Sequence, residues 1–290
     1  MLKESKIVNV LISYHRIKEK KKEKTKSLFG NFFSFSSPKD QESNSINKAL
    51  DLLAKKIYYL TDIPTQSLYI TSDTDIDMFL EKLEAEENLK EVVFFPLLPQ
   101  FSYEITGKLA NLFYQRMSIG LFQKCLWIKS FSHHKGFIEP WQKNIQKSLN
   151  TLMWKEEETI FIFFAKKLKQ RKKEDLFHYE CLLAKRKILK KFPYVLGKLI
   201  DLNEITNSID KWSNNRKNLL FIPISYLFDE EIPFQKMNPL FLSLQNRGYT
   251  SQLCPPLNLN CQWIHSICSI LEEGNVTNSH MLIPPKHLIG

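Results

Sequence analysis

Residues 91–102 read Glu91-Val92-Val93-Phe94-Phe95-Pro96-Leu97-Leu98-Pro99-Gln100-Phe101-Ser102. The segment Val92 to Phe95 is apolar without polar alternation, which is typical of a parallel strand that is covered on both faces. Pro96 and Pro99 end such a strand and hold the following backbone extended. The stretch therefore predicts a buried parallel strand followed by a rigid loop.

The residues after this loop favour the start of a helix near Gly107. Ser102 or Thr106 can cap it, because a hydroxyl oxygen accepts hydrogen bonds from the first free N–H groups of a helix. A loop between the carboxyl end of a parallel strand and a helix N-terminus is a usual ligand position in α/β folds. We therefore expect a binding site at this loop.

The same strand-helix alternation runs along the chain and restarts near its middle. Strands are predicted at 6–12, 66–71, 91–95, 126–129, 159–164, 219–223 and within 194–202, and helices at 46–60, 75–86, 140–152, 175–191, 206–214 and around Trp263. Residues 28–45 are predicted to form a surface loop. This series is typical of parallel sheets with crossover helices.

We therefore predict an α/β fold of two Rossmann-like lobes, residues 1–150 and 151–290, with parallel sheets and a cleft between them. The boundary is expected near residues 145–158, and the last helix is expected to pack back on the first lobe. Pro223 ends a strand in the second half as Pro96 does in the first, so both loops should line the cleft.

Composition indicates a globular protein without a nucleotide-binding loop. The 290 residues are 43% hydrophobic, and the 8 glycines form no Gly-rich phosphate-binding motif. No apolar run approaches the roughly 18 residues that span a bilayer, and no signal-peptide pattern is present. A cytoplasmic location is expected.

The five cysteines are an odd number, which favours reduced thiols in such a location. Cys254, Cys261 and Cys268 recur every seven residues, but no Cys-x-x-Cys accompanies them. A metal cluster is therefore not expected.

The net charge of +10 is concentrated in basic runs at 18–26, 166–173 and 185–191. Solvated helix faces explain such runs, and no nucleic-acid-binding motif accompanies them, so no nucleic-acid partner is expected. Peripheral contact with an anionic membrane and attraction of a carboxylate-bearing substrate stay open. The sequence does not specify an oligomeric state.

The order of residues in the loop resembles the ferrochelatase family. Members carry a strand that ends in Pro-Leu-Tyr/Phe-Pro-Gln-Tyr-Ser and then Thr-Thr-Gly, and this chain matches at Pro96, Leu97, Pro99, Gln100, Ser102, Thr106 and Gly107. Leu98 and Phe101 depart from the pattern. Near the end, Pro256-Leu257-Asn258 and Trp263-Ile264 are similar to the family's Cys-Leu-Asn and Phe/Trp-Ile segment. The resemblance covers most of residues 5–272.

The resemblance implies a protein of haem biosynthesis that inserts Fe(II) into protoporphyrin or coproporphyrin. Porphyrin and ferrous iron would be its partners, and no organic cofactor is implied. Some members carry an iron–sulfur cluster near the C-terminus, but the cysteine spacing here does not reproduce that pattern. By the same resemblance, Tyr14, Leu98, Phe101 and Ser102 are the candidate porphyrin-binding residues. For Tyr14, anchoring of a strand end is an equal alternative.

Both catalytic positions of the family are substituted. The family's Ser-Ala-His-Gly-Leu-Pro motif aligns without gaps onto residues 164–169, which puts Lys166 at the histidine. An alignment through Pro223 and Asp229 puts Ile232 at the family's catalytic glutamate, with Glu230 and Glu231 adjacent. A shift of one or two residues would restore a carboxylate there, but nothing nearby restores the histidine.

Lysine is a poor replacement for histidine as a base near neutral pH. Its ordinary pKa is about 10.4, and lowering it to 7 costs roughly 4–5 kcal/mol. His133 and His134 are possible metal ligands at the mouth of the cleft, although a surface loop is the simpler interpretation. Three hypotheses stay open: a slow ferrochelatase, a catalytically degenerate binder of porphyrin, haem or metal, and an interaction protein on the same scaffold.

Overall fold

The computed structural model describes residues 6–14, 38–166, 168, 175–213, 215–273, 276–278 and 282, without the side chains of residues 38–44, 212 and 230. The strands are β1 (Lys6–Tyr14), β2 (Thr65–Ile70), β3 (Leu89–Pro96), β4 (Cys125–Ile128), β5 (Thr159–Phe164), β6 (Leu196–Leu199), β7 (Asn218–Pro223), β8 (Thr250–Leu253) and β9 (Val276–Asn278). The α-helices are α1 (Pro38–Thr61), α2 (Asp73–Glu84), α3 (Lys108–Tyr114), α4 (Ile119–Phe122), α5 (Lys135–Leu152), α6 (Asp175–Leu189), α7 (Ile205–Trp212), α8 (Phe234–Gln245) and α9 (Cys261–Glu272).

These described strands form two sheets. The first has the order β2-β1-β3-β4-β9, in which β1 to β4 are parallel and β9 is antiparallel to β4. The second has the order β6-β5-β7-β8 and is parallel throughout. The predicted α/β fold with two parallel-sheet lobes is thereby confirmed. The domain limits at 150 and 151 stay a prediction.

The C-terminal segment returns to the first sheet. Helix α9 packs against α1 and α5, and β9 pairs with β4 at the edge of that sheet. Trp263 on α9 is fully buried, with its ring centroid 5.7 Å from that of Phe131 and 6.1 Å from that of Phe137. The apolar face of the last helix therefore packs on the first lobe.

One apolar cluster joins the two lobes. It contains Leu11 and Phe95 from the first sheet, Phe161 and Leu220 from the second, and Trp263 from α9, all fully buried. Because the hydrophobic contribution scales with the apolar area removed from water, a shared cluster of this size favours a fixed arrangement of the lobes.

The predicted loop at residues 28–45 is wrong from residue 38 onward, because α1 begins at Pro38. Proline suits a first helical turn, where its missing N–H has no intrahelical acceptor. Residues 28–37 lie outside the described residues. Helix α8 and strand β8 were not predicted. Pro239 interrupts the helical pattern of α8, and β8 is a short, mostly polar edge strand.

Candidate functional site

The loop after β3 is held at both ends. The N–H of Leu97 donates to the carbonyl of Ile12 over 2.8 Å. The Oγ of Ser102 accepts from the N–H of Ile105 over 3.2 Å and caps a π-helical turn, Tyr103–Gly107, that leads into α3. Of the two residues predicted to cap, Ser102 is the one that does so, and the helical turn begins at Tyr103, before the predicted start near Gly107.

Three of the candidate porphyrin-binding residues are buried. The exposed fractions of Leu98, Phe101 and Ser102 are 4%, 1% and 0%. The Nζ of Lys129 lies 4.9 Å from the ring centroid of Phe101, and the Tyr103 ring packs on Phe101 edge-on at 4.8 Å. A ligand therefore reaches Phe101 only after covering groups move.

The fourth candidate, Tyr14, is the last residue of β1 and is partly buried against the first-lobe apolar cluster that includes Phe101. Its position at the carboxyl end of a parallel strand is compatible both with a ligand contact and with anchoring of the strand end. Porphyrin contact at these four residues stays a prediction.

The loops after β3 and β7 meet. The side-chain Nε2 of Gln100 donates to the carbonyl of Ile224 over 3.1 Å, and Gln100 is fully buried. Each residue follows a strand that ends in proline, at Pro96 and Pro223. The two strand-proline loops are therefore in direct contact across the lobes.

Lys166 and Glu231 form an ion pair near this contact. Lys166 follows β5 by two residues, and its Nζ lies 2.6 Å from Oε1 of Glu231. The other carboxylate oxygen, Oε2, accepts from the N–H of Leu227 over 3.0 Å. The exposed fractions of the side chains are 23% for Lys166 and 12% for Glu231, so the pair is largely shielded from solvent.

Tyr226 lies beside this pair, with its ring centroid 5.6 Å from Nζ of Lys166. Burial, together with the Glu231 and Asp201 carboxylates, raises the pKa of Tyr226 above its ordinary value. The phenol therefore stays protonated near neutral pH, and the Tyr226 ring lies within cation–π distance of the ammonium.

This arrangement is poorly suited to proton abstraction. A lysine ammonium has no free lone pair while it donates to a carboxylate, and the Glu231 carboxylate is held towards Lys166 and Leu227 by the two hydrogen bonds that it accepts. Ile232 is 5% exposed and packs in an apolar cluster with Phe164. The side chain of Glu230 lies outside the described part of the structure.

Of the two candidate histidines, His134 has hydrogen-bond partners for both ring nitrogens. The Nδ1 of His134 accepts from the N–H of Gly136 at the start of α5, and its Nε2 lies 2.5 Å from Oε2 of Glu273. His133 is exposed. Within the described residues, no group of three or more His, Cys, Asp or Glu side chains is placed to hold a metal ion.

Sequence reasoning missed Glu180, a buried carboxylate on α6. It is 7% exposed and accepts hydrogen bonds from the first lobe. The buried face of α6 carries Phe177, Cys181, Ala184 and Ile188, and Glu180 lies on it. A charged residue at an apolar position of this 3.6-residue pattern was the available signal.

A family comparison decides what this scaffold is. The model of the ferrochelatase family matches residues 2–274. The chain belongs to the ferrochelatase family. The resemblance found in the two short motifs is confirmed, and the match extends over both lobes.

The family's curated members are distant relatives. Ferrochelatase from Chlamydia trachomatis serovar A is 22% identical over 208 residues, which cover 67% of this chain and 64% of that protein. Ferrochelatase from Aquifex aeolicus is 27% identical over 208 residues, 65% of each chain. The matched part thus spans slightly less than two thirds of these relatives.

Solved structures show the same fold at low identity. The structure of SirB from Bacillus subtilis with Fe3+ has a TM-score of 0.61 and 8% identity, and the match covers 95% of this chain and 98% of that one. This similarity supports the two-lobed chelatase architecture. In the described residues, no helix has the length and hydropathy needed to cross a bilayer.

Proposed function

We propose that this protein binds a porphyrin between its lobes and acts in haem biosynthesis, inserting Fe(II) much more slowly than family members with an intact histidine and glutamate. Protoporphyrin and coproporphyrin are the proposed tetrapyrroles. Family membership supports metal insertion as the type of chemistry. Iron is a substrate in this proposal, and no organic cofactor or iron–sulfur cluster takes part.

The Lys166–Glu231 ion pair is the observation that supports a low rate of metal insertion. Metal insertion releases two pyrrole N–H protons, so a catalyst needs a group that accepts them. General acid–base groups contribute about 10²–10⁴-fold in rate. With Lys166 at the family's histidine position and already donating to Glu231, this contribution is reduced.

The same ion pair favours a second candidate, a catalytically degenerate protein that binds porphyrin, haem or metal without metallating the ring. An interaction protein on the same scaffold is the third candidate. Tetrapyrrole binding separates the first two functions from the third, and metal insertion separates the first from the second.

Titration of the purified protein with porphyrin, followed by the Soret absorbance, tests the binding function. We expect a saturable shift at micromolar protein. A titration in which the Soret band changes no more than with an unrelated protein of similar charge contradicts the proposal.

The remaining partner predictions rest on the sequence. The basic run at 185–191 overlaps the last residues of α6. The run at 18–26 and most of the run at 166–173 lie outside the described residues. Contact of these runs with an anionic membrane, the absence of a nucleic-acid partner and a cytoplasmic location stay predictions.

A further inference from the structure

Glu180 connects the second lobe to the loop that follows β3. Its Oε2 atom accepts from the N–H of Phe101 over 2.9 Å and from Oγ of Ser132 over 3.2 Å. Both donors belong to the first lobe, one after β3 and one after β4. A single carboxylate oxygen thus binds two first-lobe loops to helix α6.

The connection uses a buried carboxylate, whose removal from water has a high free-energy cost. Glu180 is 7% exposed, and its carboxylate accepts the hydrogen bonds from Phe101 and Ser132. Burial of a carboxylate is unfavourable, and hydrogen bonds to it offset only part of the desolvation cost. An apolar residue would fill the same position on α6 with a lower desolvation cost. Cys181 and Ala184 do so at neighbouring buried positions. The acceptor oxygen at this position therefore serves the connection between the lobes rather than packing.

The loop bound by Glu180 is tied to three elements through three consecutive residues. The carbonyl of Pro99 accepts from the N–H groups of Phe131 and Ser132 over 3.0 and 2.9 Å. Gln100 donates to the carbonyl of Ile224, and the N–H of Phe101 donates to Glu180. The backbone of this loop is therefore fixed relative to both lobes.

We propose that Glu180 is a positioning residue that fixes residues 99–101 relative to the second lobe, so that this wall of the tetrapyrrole site is already ordered when Lys129 and Tyr103, the groups that cover Phe101, move aside. The inference rests on the proposed function, since it concerns the same site. A preformed wall binds a rigid, flat ligand with a smaller cost in ordering, which raises affinity without a direct contact from Glu180.

Three variants separate this role from general stability. Glu180→Gln keeps a carbonyl oxygen that can accept both hydrogen bonds, whereas Glu180→Ala removes the acceptor. Tyr179→Ala is the matched control, because Tyr179 precedes Glu180 on α6 and is 55% exposed. Two measurements are made well below the unfolding temperature: hydrogen exchange of the peptide that covers residues 97–103, and porphyrin affinity from the Soret band.

We expect faster hydrogen exchange at residues 97–103 in Glu180→Ala. We also expect porphyrin affinity to fall by about tenfold or more, because this is the effect of losing one hydrogen bond to a charged group. Glu180→Gln should restore most of both properties, and Tyr179→Ala should match the wild type. If Glu180→Ala does not fold, the comparison passes to Ser132→Ala, which removes one of the two donors and should show a smaller change in the same direction.

The outcomes that overturn the proposal are distinct. Unchanged hydrogen exchange at residues 97–103 in Glu180→Ala would show that the hydrogen bonds to Glu180 do not fix the loop. Faster exchange with unchanged affinity shows a structural tie without a positioning role. A wild-type protein that binds no porphyrin contradicts the proposed function itself, and the positioning role falls with it.

Discussion

Nζ of Lys166 lies 2.6 Å from Oε1 of Glu231, and this ion pair links the loop after β5 to the loop after β7. The two residues are 65 positions apart in the chain. By the alignment, Lys166 is expected at the position of the family's histidine, and Glu231 directly precedes Ile232, the residue expected at the position of the family's glutamate. The chemistry of the site therefore depends on what this pair allows.

The pair should be energetically coupled. We expect Lys166→Met and Glu231→Gln each to lower the free energy of unfolding by about 1–3 kcal/mol, because the first leaves Glu231 without its cationic partner and the second replaces a charged acceptor with a weaker, neutral one. The double variant should lose less than the sum, with a coupling of about 0.5–3 kcal/mol. Urea unfolding of the four proteins measures the cycle. Additive losses would show that the two side chains do not interact in solution.

We expect a glutamate at position 232, as in the family, to destabilise this protein. Ile232→Glu places a carboxylate in the apolar cluster around Phe164, so we expect a loss of stability of roughly 1–3 kcal/mol or more and no gain in metal insertion. Ile232→Val, which keeps an apolar side chain, is the control and should cost about 0.5–1.5 kcal/mol. Thermal unfolding gives the comparison. An Ile232→Glu protein as stable as the control would place this side chain in solvent.

Phe101→Ala should mainly lower stability, whereas Tyr14→Ala should mainly weaken porphyrin binding. Phe101 is 1% exposed, and we expect its truncation to destabilise the fold by about 3–5 kcal/mol. Tyr14 is only partly buried, so its truncation should weaken porphyrin binding with a smaller loss of stability. Unfolding curves and Soret titrations on the same samples separate the effects. Wild-type affinity in Tyr14→Ala would place the ligand elsewhere.

Thiol reactivity should single out Cys261, which is exposed, whereas Cys125, Cys181 and Cys254 are buried. Burial raises the pKa of each of these three to about 12. Since the thiolate is the reactive form, iodoacetamide at pH 8 should label Cys261 first in the native protein. Mass spectrometry of the labelled peptides checks the order. Early labelling of Cys254 would contradict its buried position.

The same shifts predict a loss of stability in alkaline solution. The folded-state pKa values lie above the ordinary thiol value of 9.0. The unfolded chain therefore releases its thiol protons first, and stability falls as the pH rises from about 9 towards 12, on the order of 1 kcal/mol per thiol at pH 10. Urea midpoints at pH 8 and pH 10 measure the fall, and Cys254→Ala should reduce it. An equal fall in that variant would assign the effect to other groups.

The parts of the fold that the sequence predicted are those with one dominant local signal. Strand β5 is apolar at every position except its first, Thr159, and its predicted bounds agree with the structure. Ser102 caps its turn as expected, because capping depends on residues three positions apart. Strand β8 gave no such signal, since an edge strand with one exposed face needs few apolar residues.

The site was less predictable because its contacts join distant parts of the chain. The alignment identified Lys166 and Glu231 separately, but only the crossing of two loops brings them together. The contact between Gln100 and Ile224 spans 124 positions and likewise has no local signature. Glu180 was accessible in principle, as a charge on the apolar face of α6.

The most direct test of the account is anaerobic insertion of Fe(II) or Zn(II) into porphyrin by the wild type and Lys166→His, read by the Soret shift. In Lys166→His, Glu231 would stay beside an imidazole that can accept a proton near neutral pH. We expect the wild type to be slower than an intact ferrochelatase by about 10²-fold or more, and Lys166→His to gain about tenfold or more. Lys166→Met should show no such gain. Wild-type turnover at the rate of an intact ferrochelatase, unchanged in Lys166→Met, would contradict the account.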